Sequence, residues 1–132
     1  MRKLITIVLL AFAAACGDST GPDSSYLGTY ALRSVDGQPV PFTIFASGDD
    51  YVRVTGGSLI FDSGDSFTTS LDLSYRFDGT VENESEWTGG TFKRAGNKFT
   101  MTDAEGDSYV ATYDGSSTMT INADGVVFVF RK

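Results

Sequence analysis

The side chains able to do chemistry in this sequence are almost all carboxylates. Asp and Glu number 17 against 10 Lys and Arg, and histidine is absent. Its absence removes the commonest general base and the commonest transition-metal ligand together, which excludes zinc, copper and Ser-His-Asp chemistry. Glu82, Glu84 and Glu86 alternate with Val81, Asn83, Ser85 and Trp87. An extended backbone places these three carboxylates on one face at about 6.6–7 Å intervals, where they could meet a cation or a basic partner. A solvated strand face that discourages edge pairing accounts for them more simply. Asp62-Ser63-Gly64-Asp65 and the acids from Asp103 to Asp107 offer the oxygens that calcium takes. Neither has the spacing of a calcium loop closed by a bidentate Glu, so turn formation explains them better. Acids are too abundant in turns for any pair to single itself out as a glycoside-hydrolysing couple. Ser, Thr and Lys lack an activating neighbour. The expectation is a chain that is not an enzyme and has no catalytic residue, metal or cofactor.

Cys16, the single cysteine, stands in a different context. Arg2 and Lys3 supply a positive start, residues 4–12 an apolar core, and Ala13-Ala14-Ala15 the small residues that a signal peptidase accepts. The apolar run is shorter than the roughly 20 residues a membrane-spanning helix needs, so residues 1–15 read as a removable export signal. Ala13-Ala14-Ala15-Cys16 resembles the lipobox of bacterial lipoproteins, with Ala13 where leucine is usual. The resemblance implies a lipid on the Cys16 sulfur, cleavage just before it and an acylated new amino terminus. Cys16 would then tie the chain to a lipid bilayer, since two or more acyl chains anchor stably where one does not. An ordinary signal peptide would instead leave an unpaired exported thiol. Gly17 rather than Asp follows Cys16, which in lipoprotein sorting does not signal inner-membrane retention and leans the expectation toward the outer membrane of the cell envelope. The tether, residues 16–25, has no apolar side chain to bury after Cys16 and is expected to be disordered, with a reach of about 15–18 Å.

Residues 26–132 suit one domain. Loss of Arg2 and Lys3 with the leader takes the net charge from −7 to about −9, the wrong sign for nucleic acid. With no second cysteine, disulfides cannot stabilise the fold, and the core rests on aromatic and β-branched burial. No window shows a helical period, whereas period-two alternation recurs between turn signals. In 66–77, Phe67, Thr69, Leu71, Leu73, Tyr75 and Phe77 share one face. Further strands are expected at 26–34, 51–55, 58–62, 86–94, 98–103, 108–114, 118–122 and 126–131. Asp36-Gly37, Asp78-Gly79, Asp114-Gly115 and Asp124-Gly125 suit tight hairpins. Gly89-Gly90 marks a bulge between Trp87 and Phe92, which differ in parity. Residues 35–44, with Pro39 and Pro41, read as an irregular connection at a rim or lid. The fold expected is all-β: an antiparallel meander of 8–9 short strands closing into a small barrel, first strand against last.

Leu27-Gly28-Thr29-Tyr30 resembles the Gly-x-Trp opening of lipocalins and related calycin barrels, with Tyr30 in place of the tryptophan. Arg131 resembles the basic residue that packs on that ring. Trp87 to Phe92, Asn97 to Thr102, Tyr109 to Tyr113 and Thr118 to Ile121 continue the likeness to small lipocalin-like domains of bacterial lipoproteins. The resemblance implies a barrel sealed at one end by Tyr30 and Arg131, and binding of a small apolar ligand or lipid. An eight-stranded barrel can be filled by side chains or hold one small ligand. Candidates for lining or filling it are Tyr51, Phe61, Phe67, Leu71, Leu73, Tyr75, Trp87, Phe99, Tyr109 and Tyr113, with Met101. The leading expectation is thus an envelope lipoprotein that binds an apolar molecule. Its alternative is a filled barrel that engages or inhibits another envelope protein through its acidic rim or the loops of residues 35–50.

Overall fold

The computed structural model describes residues 24–132; the leader and Cys16 lie outside the described residues. Among the described residues ten strands follow in order: β1 (Gly28–Val35), β2 (Gln38–Pro39), β3 (Phe42–Ser47), β4 (Asp50–Asp62), β5 (Ser66–Phe77), β6 (Thr80–Ala95), β7 (Lys98–Asp103), β8 (Ser108–Tyr113), β9 (Thr118–Ala123) and β10 (Val126–Arg131). From β3 to β10 each strand pairs antiparallel with the next, β10 pairs with β1, and β1 pairs with β4. β1 and β4 to β10 therefore form a closed eight-stranded barrel with β2 and β3 as two extra strands. The expected all-β meander and the neighbouring first and last barrel strands are both present.

The turns follow from their residues. Asp36-Gly37, Asp78-Gly79 and Asp124-Gly125 each place both residues at positive φ, between 50° and 84°. That is the type I′ geometry whose twist matches the flanking strands. Asp114-Gly115 differs: only Gly115 is left-handed, and Asp114 Oδ1 accepts from the backbone N–H of Ser116, Ser117 and Thr118 at 2.8–3.0 Å, holding a wider turn.

Three expectations are corrected. The strands expected at 51–55 and 58–62 are one strand, β4. At Gly56-Gly57 β4 changes partner: Ser58 to Phe61 pair with β1, whereas Asp50 to Val54 pair with β3. A Cβ on Gly57 would come within 2.5 Å of the Ser70 carbonyl oxygen, so the close approach requires glycine. Residues 35–44 are only partly irregular, because β2 and the start of β3 lie there on either side of the bends at Val40 and Pro41; among the described residues Pro39 lies on the edge strand β2, where no further strand needs its missing N–H. Finally, Gly89-Gly90 is not a bulge, since the β5–β6 register runs without a shift. β6 meets β7 at Gly90, where a Cβ would lie 1.9 Å from the Thr102 carbonyl oxygen.

β4, β5 and β6 outgrow the barrel. β7 pairs with β6 from Gly90 to Ala95, while among the described residues the segment from Thr80 to Gly89 pairs with β5 alone. A four-stranded flap, β3-β4-β5-β6, consequently rises above one end, and Ile44, Phe45, Phe77 and Val81 are exposed on it.

The other end is packed solid. Tyr30, Phe61, Phe67, Phe99 and Tyr113 are at most 2 % exposed. Phe61 meets Tyr26, Tyr30 and Phe92 edge-on and lies tilted against Phe99, with centroids 5.0–6.2 Å apart. Such pairs are worth about 0.5–1.5 kcal/mol each beyond the area they bury. Tyr26 caps the cluster from outside β1, and the Tyr30 hydroxyl donates to the Tyr26 carbonyl at 2.6 Å. Both described chain ends are held here. Lys132 Nζ donates to the Ser25 carbonyl, and the Tyr113 hydroxyl meets Ser25 Oγ at 3.1 Å. Ser25, expected within the tether, is thus already part of the folded body.

Candidate functional site: an open half-barrel with an acidic mouth

Strand parity decides what the barrel interior contains. On β5 the side chains of Phe67, Leu71, Leu73 and Tyr75 point one way, and residues directly paired across strands share a face. Near the sealed end that face is filled by rings. Higher up, Leu71 and Leu73 line open space: a cavity of about 380 Å³ bordered by Leu71, Met101, Tyr109, Ile121 and Phe128, adjoining one of about 440 Å³ bordered by Val35, Val54, Leu73, Val126 and Phe128. The two lobes share Leu71, Phe128 and Glu86. Each falls in the range of about 300–1,000 Å³ typical of small-molecule sites, with mostly apolar walls and a few polar groups.

The lobes open where the wall is interrupted. Ala104 donates to the Gly89 carbonyl at 3.1 Å, and beyond this link β6 and β7 part. The first lobe is bordered there by Glu86, Trp87 and Thr88 on β6 and by Asp103, Glu105 and Asp107 at the β7–β8 turn. The second lies under β3, with Phe42 and Ile44 over it.

Glu82, Glu84 and Glu86 pair with Tyr75, Leu73 and Leu71 respectively. The acid ladder therefore shares the face of the cavity wall rather than the outer face, and Glu86 borders both lobes. Among the described residues it also lies on an unpaired strand edge, as its sequence pattern suggests. Burial, then the Glu84 and Glu86 carboxylates, push the Tyr75 phenol above its usual range. Asp103 is buried. Its carboxylate accepts from the Tyr109 hydroxyl and, at 2.9 and 3.0 Å, from the backbone N–H of Glu105 and Asp107. The Tyr109 hydrogen bond, followed by those backbone donors, holds the Asp103 carboxyl below its usual range, while Asp103 pushes Tyr109 up to about 12. Asp103 thus fixes Tyr109 against the lobe as a neutral phenol. Among the described residues no three His, Cys, Asp or Glu side chains converge as metal ligands.

The ten candidate residues divide. Leu71, Leu73, Trp87 and Tyr109 border the lobes. Phe61, Phe67, Phe99 and Tyr113 fill the sealed end instead. Tyr75 packs against the core beside the acid ladder. Tyr51 pairs with Arg76 and has the Arg53 guanidinium 4.2 Å over its ring, on the face away from Leu73 and Tyr75. Trp87 pairs with Ser70 on the outer face and is 64 % exposed, so it borders the opening without lining the interior. The pairing of Tyr30 with Arg131 is corrected too. The cation over Tyr30 is Lys132, with Nζ 5.1 Å from the ring centre, while Arg131 is exposed and its Nε lies 3.4 Å from Thr118 Oγ1. Phe130 points inward, so parity turns Arg131 out and brings Lys132 back over the barrel end. A second cation, Arg94, covers Tyr26 at 4.7 Å.

Sequence reasoning missed Val35, Val54, Val126, Phe128 and the inward facing of Glu86. Val126 to Phe130 is apolar throughout, which hides the face that lines the lobes. For Glu86 the signal was present: a two-residue turn at Asp78-Gly79 pairs Phe77 with Thr80 and so fixes Leu71 opposite Glu86. No family model, curated protein or solved structure matches the chain.

Proposed function

We propose that the protein is a non-enzymatic binder of a small apolar molecule, held at the cell envelope through acylated Cys16, with the upper half of the barrel as its site. The observation that carries this reading is the division of one barrel interior into a filled end and an open one. An eight-stranded barrel has just enough room for side chains to fill it. Here the rings of Phe61, Phe92 and Phe99 fill one end, while apolar walls at Leu71 and Phe128 stand against open space. The lipocalin-like character of residues 26–132 rests on the sequence resemblance together with this closed barrel.

The anchor agrees with that arrangement. The described chain enters at the sealed end through Ser25 and Tyr26, so a tether from Cys16 reaches the barrel on the side away from the lobes. Lys93, Arg94, Lys98 and Arg131 stand on the strand segments nearest that end, and Lys132 follows β10 there. An anionic bilayer surface would attract them at about 1 kcal/mol per cation close to the surface. The mouth then faces away from the anchoring membrane, and the outer membrane is the leaning that Gly17 supports.

The test is titration of residues 24–132, which contain every described strand, with the neutral dye N-phenyl-1-naphthylamine. Its emission should rise on binding and stay low with Leu71→Trp, which fills the space shared by both lobes. No rise with the parent chain, or an equal rise with the variant, refutes the site. A second reading, a module that docks on another envelope protein, draws on Ile44, Phe45, Phe77 and Val81, exposed between 48 % and 58 % on the flap. If the dye finds no site, mutation of those four residues becomes the next experiment.

A further inference from the structure

We infer that the lobes take an amphiphile whose polar end is a cation, an ammonium group on an apolar body, and discriminate against carboxylate and phosphate amphiphiles. The inference rests on the proposed binding function and adds the sign of the ligand.

The ionised side chains bordering the lobes are all acids: Glu86, Asp103, Glu105 and Asp107 at the first, Asp36 and Glu86 at the second. Among the described residues no lysine or arginine borders either. The cations lie elsewhere, Arg94 and Lys132 over rings at the sealed end and Arg53 over Tyr51 on the outer face. A fatty-acid carboxylate entering the lobes would meet carboxylates and no counter-charge, which costs affinity through like-charge repulsion and desolvation. An ammonium group meets the reverse.

Position strengthens the argument. Glu86 borders both lobes beside Leu71 and Phe128, so a ligand with its chain against those walls brings its head group to the Glu86 carboxylate. Tyr109 and Phe128 border the first lobe as well, and Asp103 keeps Tyr109 in place by accepting a hydrogen bond from its hydroxyl. Aromatic faces together with a carboxylate are the surroundings in which proteins hold quaternary ammonium groups. Asp36 and Asp103 each spend an oxygen on backbone N–H groups, Asp36 on Val127 at 2.8 Å, so they set the field while Glu86 makes the contact.

The experiment compares three ten-carbon probes on residues 24–132: decyltrimethylammonium, decanol and decanoate, each as a monomer in solution. Trp87, the single tryptophan, borders the first lobe and reports binding by its emission. At low salt decyltrimethylammonium should bind about tenfold or more tightly than decanoate, with decanol between, and the gap should narrow in about 0.5 M salt. Glu86→Gln should cut the preference for decyltrimethylammonium over decanoate at least about threefold. Asp65→Asn, a charge removed from the β4–β5 turn at the sealed end, should leave it intact. Equal or tighter binding of decanoate overturns the inference while the binding site stands. An equal effect of both substitutions reduces the preference to net charge and overturns the role of Glu86. If none of the three probes binds, the binding function itself falls, and the ligand class with it.

Discussion

Replacing Phe61 by alanine removes the ring that touches the largest number of others in the sealed end: Tyr26, Tyr30, Phe92 and Phe99, at centroid distances of 5.0–6.2 Å. Phe61 is 1 % exposed and borders neither lobe. The change therefore incurs both the lost transfer energy and the cost of a new cavity, about 4 kcal/mol together. Against a total stability of about 5–15 kcal/mol for a domain of this size, that is about a quarter or more. It corresponds to a fall in Tm of roughly 15–30 °C. Leu71→Ala provides the contrast. Leu71 is half-buried and already borders both lobes, so little new cavity forms and only the loss of partial burial remains, about 1–2 kcal/mol. Urea unfolding of both variants, followed by circular dichroism and by Trp87 emission, measures the two costs side by side. Equal costs would refute the division of the interior into a filled and an open half. So would a larger cost for Leu71.

Other outcomes follow from single contacts. Lys132→Ala should lose about 0.5–1 kcal/mol by urea unfolding, because it sits over Tyr30, while Arg131→Ala stays within about 0.5 kcal/mol; the reverse order would restore Arg131 as the sealing cation. Gly90→Ala should destabilise by about 3 kcal/mol or more, since its Cβ would strike the Thr102 carbonyl oxygen, whereas Gly64→Ala, with open space around it, should be nearly neutral; equal melting temperatures would contradict the close approach. Asp103 and Asp114 set the acid limit. The Tyr109 hydroxyl depresses the first, and the backbone N–H groups of Thr118, Ser116 and Ser117 hold the second at about 2. A carboxyl depressed in the folded state stabilises above its unfolded value near 3.9, and that contribution is lost as pH falls through the folded value. The urea midpoint should thus drop between about pH 4 and pH 2, and Asp114→Asn should make the drop shallower; an unchanged slope would exclude Asp114 as a contributor. Cys16→Ser should abolish incorporation of a labelled fatty acid in cells, and continued incorporation would refute lipidation at that residue.

The sequence reveals most where local chemistry and register coincide. An Asp-Gly pair can form only a few turns, so three hairpins and the inward face of β5 are legible from the residue types and their spacing. Gly56-Gly57 and Gly89-Gly90 are ambiguous in sequence, because the same absent side chain serves a turn, a bulge or a close approach. Which of these occurs depends on strands far along the chain, β1 and Ser70 for the first pair and Thr102 for the second. Phe61 and Leu71 are equally apolar and equally in phase, yet one fills the barrel and the other borders its cavity. Alternation says which way a side chain points. Whether another side chain meets it there is decided by the whole barrel, including the one-residue difference that turns Arg131 out and Lys132 in.

A ligand carried in the barrel is read most directly by native mass spectrometry of residues 24–132, exported without Cys16 and purified without denaturant, with the folded mass compared to the acid-unfolded mass. An added mass of a few hundred daltons that leaves on unfolding is the predicted result, and it would deliver the ligand for identification. A bare polypeptide that also stays bare with added apolar molecules would contradict a binding barrel.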